Sequence, residues 1–513
     1  MSAPSEAPDA DSRRLQQRHI RGSTLLVLGR VLSLLLSMAT SVVLVRVLSK
    51  ADYGAFAYAL VLAAGARVLL SLGQGRLLSR FMASYQEKRD YPRMFGALLL
   101  TVGTIAVTSV VCIGAVYLFT GALVGSAVRG QQAEHLLLIL VFLSPLQALD
   151  QVFVSLFAVF SKPTAIFFRK FLMAPGLQLV VVLLLALTGA SVTFLAVGYV
   201  IASAAGIALY VVLFIGAMRE QGMWQELRRS RVIIPYREVF EFSFPLITSE
   251  LALLSFTMGG VMVLGMSHGA IEVANYRAVF NPARLNTAVT ASFVTLFLPV
   301  IARFHTRGDT NGLRNSYWHT AAFVAVATFP IFALTGPLAP ATTVALFGMR
   351  YSSSSTVLAV LAVGYYVNVM LGFNAYTVQV CGRIRYLVGV NVVVTILNIG
   401  ICLALAAPYG AVGVAVANCV ALITQNVLNQ WALRGAIGTR FVDREAWVCY
   451  SIIVAGAAVL WVFRLLVSPG IVLSLAAAVV VSAAVLAGSR RALQLGETFP
   501  ELSRIPLFGR LIS

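Results

Sequence analysis

Within the apolar stretch Ala274–Phe304, Arg277, Asn281 and Arg284 recur one or two helical turns apart and so share one face of a helix. An arginine inside a membrane-spanning helix costs about 2.5–3.5 kcal/mol on insertion scales, so it normally faces a cavity or a partner. A guanidinium grips phosphate oxygens through two parallel hydrogen bonds and keeps its charge when desolvated. The chemistry these residues suit is the holding of an anion. Two other stretches repeat the pattern. Arg30 heads a polar stripe with Ser33, Ser37, Thr40 and Ser41, and Arg67 heads one with Ser71 and Gln74. Counted inward along their apolar runs, Arg30 lies towards the inner side, Arg67 near the middle and Arg284 in the outer third. Arg277 lies at the outer interface, where a long side chain can snorkel to water, as can Arg76 and Arg464 near other helix ends.

Two deep acids accompany these cations. Glu250 and Asp150 can each neutralise an arginine or take up a proton or sodium ion to couple transport. The series Asn391, Thr395, Asn398 and Asn418, Gln425, Asn429 fit hydrogen bonding between helices. Prolines 145, 175, 245, 282, 299 and 330 mark kinks. Nothing points to catalysis. The histidines (His19, His135, His268, His305, His319) are scattered over loops and helix ends, and no nucleophile elbow or phosphate loop occurs. Cys112, Cys381, Cys402, Cys419 and Cys449 all lie in apolar runs without metal-ligand spacing, so we expect reduced thiols, no metal and no cofactor.

The elements that must position these residues follow from composition. Of 513 residues, 59% are hydrophobic and only 11% charged, against about 25% charged in a soluble domain. The chain is an all-α polytopic membrane protein. Its net charge of +19 would suggest nucleic acid in a soluble protein, but here the charge sits in short loops and no nucleic-acid motif accompanies it. With about 20 apolar residues needed per crossing, we expect about fourteen spans. They run over 22–46, 52–78, 94–119, 135–160, 169–188, 191–217, 238–265, 274–303, 316–339, 354–380, 384–406, 410–433, 445–467 and 470–488.

Loop charge supports this division. With both termini cytoplasmic, the outer loops hold only Arg46, Lys50, Arg129 and Arg350. The other loop arginines and lysines, including Lys162, Arg169 and Lys170, fall inside. The short outer loops leave no room for an external catalytic domain.

An internal repeat divides the spans. Arg80-Phe81 follows Tyr53 after 27 residues, and Arg303-Phe304 follows Tyr276 after the same interval. Two six-helix lobes of parallel topology result, related by an axis along the membrane normal. We therefore expect a cytoplasmic tail (1–21), an N-lobe (22–217), a cytoplasmic linker (218–237), a C-lobe (238–433), two further helices (434–488) and a cytoplasmic tail (489–513).

Four stretches, 29–60, 242–265, 274–304 and 346–418, resemble the polysaccharide transporter family, the Wzx-type O-antigen and exopolysaccharide flippases of the superfamily that also holds the multidrug (MATE) exporters. The most family-like fragments are RVLSKADYG, Arg46–Gly54, and PYGAVG, Pro408–Gly413. The resemblance implies two lobes around a central cavity in the cytoplasmic (inner) membrane. It implies movement of undecaprenyl-diphosphate-linked sugars between leaflets by alternating access, beside a polysaccharide polymerase and glycosyltransferases. Lipid II flippases of the MurJ type are similar in keeping arginines on spans 1, 2 and 8, where Arg30, Arg67 and Arg284 fall. In that type a groove for the polyprenyl tail involves spans 13 and 14. A MATE-type cation exporter and a MurJ-like lipid II flippase are the alternatives. The first would want a cavity rich in acids, whereas this chain's deep charges are mainly arginines.

Overall fold

The computed structural model describes residues 10–71, 74–124, 131–160, 162–220, 232–239, 254 and 258–493. Every regular element among them is helical. That is the outcome hydrocarbon demands, because a helix satisfies its backbone polar groups within its own segment.

The first part of the chain forms α1 (Ala10–Val47), α2 (Lys50–Ser71), α3 (Gln74–Glu87), α4 (Tyr91–Val124), α5 (Gln131–Leu140) and α6 (Leu143–Val159). It continues with α7 (Pro163–Ile166), a π-helical turn over Phe167–Met173, α8 (Ala174–Thr188) and α9 (Val192–Glu220). The second part forms α10 (Ala270–Ala283), α11 (Leu285–Thr306), α12 (Thr310–Thr335), α13 (Ala339–Phe347), α14 (Ser354–Leu371), α15 (Asn374–Val380), α16 (Ile384–Ile437), α17 (Arg444–Val467) and α18 (Ile471–Ser489). Among the described residues, eleven helices are long and apolar enough to cross a membrane, and a bent pair brings the number to twelve. The spans expected at 384–406 and 410–433 both lie in α16, which that number counts once. Most of the span at 238–265, with Glu250, lies outside the described residues, as do most of the 218–237 linker and the extreme termini.

Where the helices break, the local cause is visible. Pro299 cannot donate to the carbonyl one turn back, and the run bends by 49° between Ala270–Val294 and Phe297–Thr306. A second interruption falls at Arg284, which ends α10 and starts α11 with φ −98° and ψ 8°. Gly410 has φ +54° and ψ −133°, a conformation essentially reserved for glycine, and there the chain turns from one span to the next. In the π-turn, the N–H of Ala174 reaches back to the carbonyl of Arg169. That extra residue per turn re-aims the side chains it carries.

The described residues form two compact units: 10–44, 59–123, 131–220 and 232–239 make the first, and 45–58, 124, 254 and 258–493 the second. The tip of the α1–α2 hairpin thus belongs with the second unit. In the first unit Leu70, Met82, Met94 and Leu156 form the core. In the second, Phe297, Tyr317, Phe329, Phe373 and Tyr450 do so. Two buried tyrosines there keep their hydroxyls bonded, Tyr366 to the Ala325 carbonyl at 2.7 Å and Tyr317 to Gln430 at 2.9 Å, since an unmet buried donor costs about 1–3 kcal/mol. Elsewhere apolar side chains stand uncovered. Leu118, Leu187, Leu466 and Val472 are 80%, 83%, 81% and 79% exposed. Such surfaces suit lipid, not water.

Candidate functional site

The first unit gathers charge from four of its helices. The π-turn swings Arg169 into the interior, where it is 4% exposed. Its Nη2 lies 2.8 Å from Asp150 Oδ1 on α6, and its guanidinium sits over the Tyr210 ring of α9 at 5.4 Å. Gly206, one turn before Tyr210, makes the space, because a Cβ there would fall 2.2 Å from the Arg169 guanidinium carbon. The Nε of Arg169 is buried without a hydrogen-bond partner. Lys170 and Arg67 lie within electrostatic reach of Asp150, and Arg30 and Arg67 lie within reach of Lys170. Arg30 is exposed, while Arg67 and Lys170 are half-buried. Three cations, Arg67, Arg169 and Lys170, thus act on one carboxylate, with Arg30 in reach of Lys170, and that carboxylate already faces Arg169. The arrangement attracts an anion and repels a cation.

The second unit offers a smaller shelf. Arg277 and Arg284 lie on the same aromatic ring, 5.1 and 5.5 Å from the centre of Phe280. Phe280 meets Tyr365 edge-on at 6.2 Å and Tyr276 at 5.8 Å. Arg284 and Asn281 are exposed. Arg277 is half-buried, with its Nε enclosed and without a hydrogen-bond partner, so its stem lies along the aromatic shelf.

Of the residues singled out from sequence, the structure brings Arg30, Arg67 and Asp150 together in one unit and Arg277, Asn281 and Arg284 together in the other. Glu250 lies outside the described residues. Arg169 and Lys170 are the ones that loop charge alone assigns to the inner side. The signal was there in their neighbours: the run IFFRKFLM is apolar on both sides of the pair. Among the described residues no three His, Cys, Asp or Glu side chains cluster as a metal site would require. In the second unit an apolar groove of about 540 Å³ runs along α14 and α17, lined by Met370, Trp447, Tyr450 and Val454. The tail groove expected from the resemblance involved spans 13 and 14; this one pairs span 13 with span 10.

A sequence-family profile described as "Polysaccharide biosynthesis protein" matches residues 19–305, more than half of the chain. No curated protein sequence matches it. Among solved structures the chain is similar to the lipid II flippase MurJ in an inward closed conformation, with a TM-score of 0.69 and 14% identity over 94% of this chain and 100% of that one. It is also similar to an inward-facing MATE-family multidrug resistance transporter of the MOP superfamily, with a TM-score of 0.63 and 13% identity over 80% of this chain and 99% of the other. Identities this low speak to the fold alone.

Proposed function

The chain belongs to the polysaccharide biosynthesis protein family, and on that premise we propose that it flips a polyprenyl-diphosphate-linked oligosaccharide, of the undecaprenyl type, across the cytoplasmic membrane by alternating access. The observation that carries this reading is the grouping of Arg67, Arg169 and Lys170 about Asp150, with Arg30 in reach of Lys170. A diphosphate brings several negative oxygens to a place where cations outnumber acids, and guanidinium geometry matches them. Arg30, Arg67 and Lys170 take the diphosphate; Arg277 and Arg284, with Asn281 beside them, offer it a second pair of guanidinium groups. The sugars need only adaptable polar contacts, so one chain can carry a bulky headgroup whose only constant feature is the phosphate.

Asp150 serves as the counter-ion that holds Arg169. Asp150 is also a candidate for proton or sodium coupling, as is Glu250. If it couples transport to an ion, Glu250→Gln changes the pH or sodium dependence of flipping, and an unaltered dependence assigns it to charge neutralisation.

Alanine replacement of Arg67 or Arg284 tests the main reading. Each variant should reach the membrane in normal amount and fail to translocate the lipid-linked sugar. Normal export by both would sink it. A cation exporter would instead tolerate these changes and lose transport on removal of its acids. A lipid II flippase would lose translocation of lipid II and not of a lipid-linked repeat unit.

A further inference from the structure

Four segments of the second unit meet around a cavity that shares no residue with the anion site. They are the end of α11, the start of α12, the start of α17 and the residues that follow α18. Loop charge places all four chain ends on the inner side. The cavity holds about 750 Å³, within the range of about 300–1,000 Å³ typical of small-ligand sites. Its walls carry both signs of charge. Arg314 and His319 come from α12, while Asp443 and Glu445 come from the N-cap and the first turn of α17.

These charges are not spent on one another. The Nε of Arg314 is enclosed without a hydrogen-bond partner. The ion pairs among the described residues, Arg93–Asp90, Lys162–Glu220 and Arg169–Asp150, leave out Arg314, Asp443 and Glu445 alike. His319 Nε2 lies 2.8 Å from the Leu493 carbonyl. A carbonyl only accepts, so this nitrogen carries the proton and the Nδ1 of the neutral ring is left as an acceptor. The cavity thus offers a guanidinium on one side, and two carboxylates and an acceptor nitrogen on the other. A simple anion would be repelled by the acids and a simple cation by Arg314. A ligand that carries both charges meets each with its opposite.

The surroundings point to the source of such a ligand. Val300 lines the same cavity and is 41% exposed, so the cavity borders a flank that suits lipid. Trp447, two residues after Glu445, is 59% exposed, and tryptophan favours the headgroup level of a bilayer. We propose that this cavity binds the headgroup of a zwitterionic phospholipid of the inner leaflet, of the phosphoethanolamine type. Arg314 holds the phosphate by paired hydrogen bonds. Asp443, Glu445 and the Nδ1 of His319 accept from the ammonium group, and the acyl chains leave past Val300. A quaternary ammonium headgroup has no N–H to give these acceptors, so the primary amine is the better fit. The proposal involves none of the residues assigned to the diphosphate and does not depend on that reading.

The test offers the purified full chain, in detergent, equimolar phosphatidylethanolamine and phosphatidylglycerol with the same acyl chains, and counts the lipid retained by native mass spectrometry. The parent should retain phosphatidylethanolamine severalfold over phosphatidylglycerol. Arg314→Gln should lower retention of phosphatidylethanolamine severalfold. Asp443→Asn combined with Glu445→Gln should erase the preference, because the repulsion of the anionic lipid is lifted and the acceptors for the ammonium are weakened. The preference is a ratio within one folded sample, so a lower yield of a variant does not imitate its loss. Equal retention of the two lipids by the parent, or the parental preference in both variants, overturns the proposal. Free phosphoethanolamine that displaces the retained lipid at equal concentration overturns the lipid as the source of the zwitterion.

Discussion

Arg169 owes its place to a counter-ion. Removing one member of a buried ion pair leaves an uncompensated charge, whereas replacing both by apolar groups of similar volume is often tolerated. Asp150→Asn should therefore destabilise the protein by about 3–5 kcal/mol, read as a fall in the thermal unfolding midpoint of the purified protein. Asp150→Leu combined with Arg169→Met should recover most of that loss. Additive losses would mean that the 2.8 Å contact does not couple them. The same pair shows where residue-level reading from sequence stops. Arg67 and Arg284 stood out in the sequence because each lies well inside an apolar run. Arg169 has apolar neighbours on both sides, but it stands next to Lys170 and after Lys162, so loop-charge bias assigns it to water. Only the π-turn and the missing side chain at Gly206 bring it inside.

Helices were legible wherever twenty apolar residues ran together; their interruptions were legible only in part. Proline marked the bend near residue 299 in advance, because its lost hydrogen bond is a property of the residue. The break at Arg284 has no comparable marker, although Pro282 lies two residues before it. Gly410 was readable as part of a turn, but its role depends on a side chain 138 positions earlier: a Cβ there would meet Glu272 Oε2 at 2.8 Å. Gly410→Ala should cost about 1–3 kcal/mol in stability through backbone strain alone. Gly103, inside α4 with open space where a methyl group would stand, is the control, and Gly103→Ala should be neutral or gain about 0.5–1 kcal/mol. Equal midpoints for the two variants would remove the special role given to the Gly410 turn.

Taken whole, the molecule joins a lipid-facing exterior to interiors of opposite character. Leucines and valines stand exposed on the outside, while cations converge within. The all-helical class and the membrane location were legible from 59% hydrophobic and 11% charged residues, since no soluble core could absorb that much apolar surface. What sequence order could not convey is that residues 45–58 leave the company of their own helices and join the second unit, because tertiary contacts made by Arg46, Lys50 and Gly54 decide it. On the proposed reading, the cation cluster receives a polyprenyl diphosphate. The most direct measurement reconstitutes the purified chain into vesicles carrying an undecaprenyl-diphosphate-linked oligosaccharide in one leaflet and follows its appearance in the other with an impermeant lectin. Translocation by the parent chain that is lost in Arg67→Ala and partly kept in Arg67→Lys is the predicted result. Translocation by Arg67→Ala at the parental rate, or transport of an organic cation in place of the lipid, would contradict it.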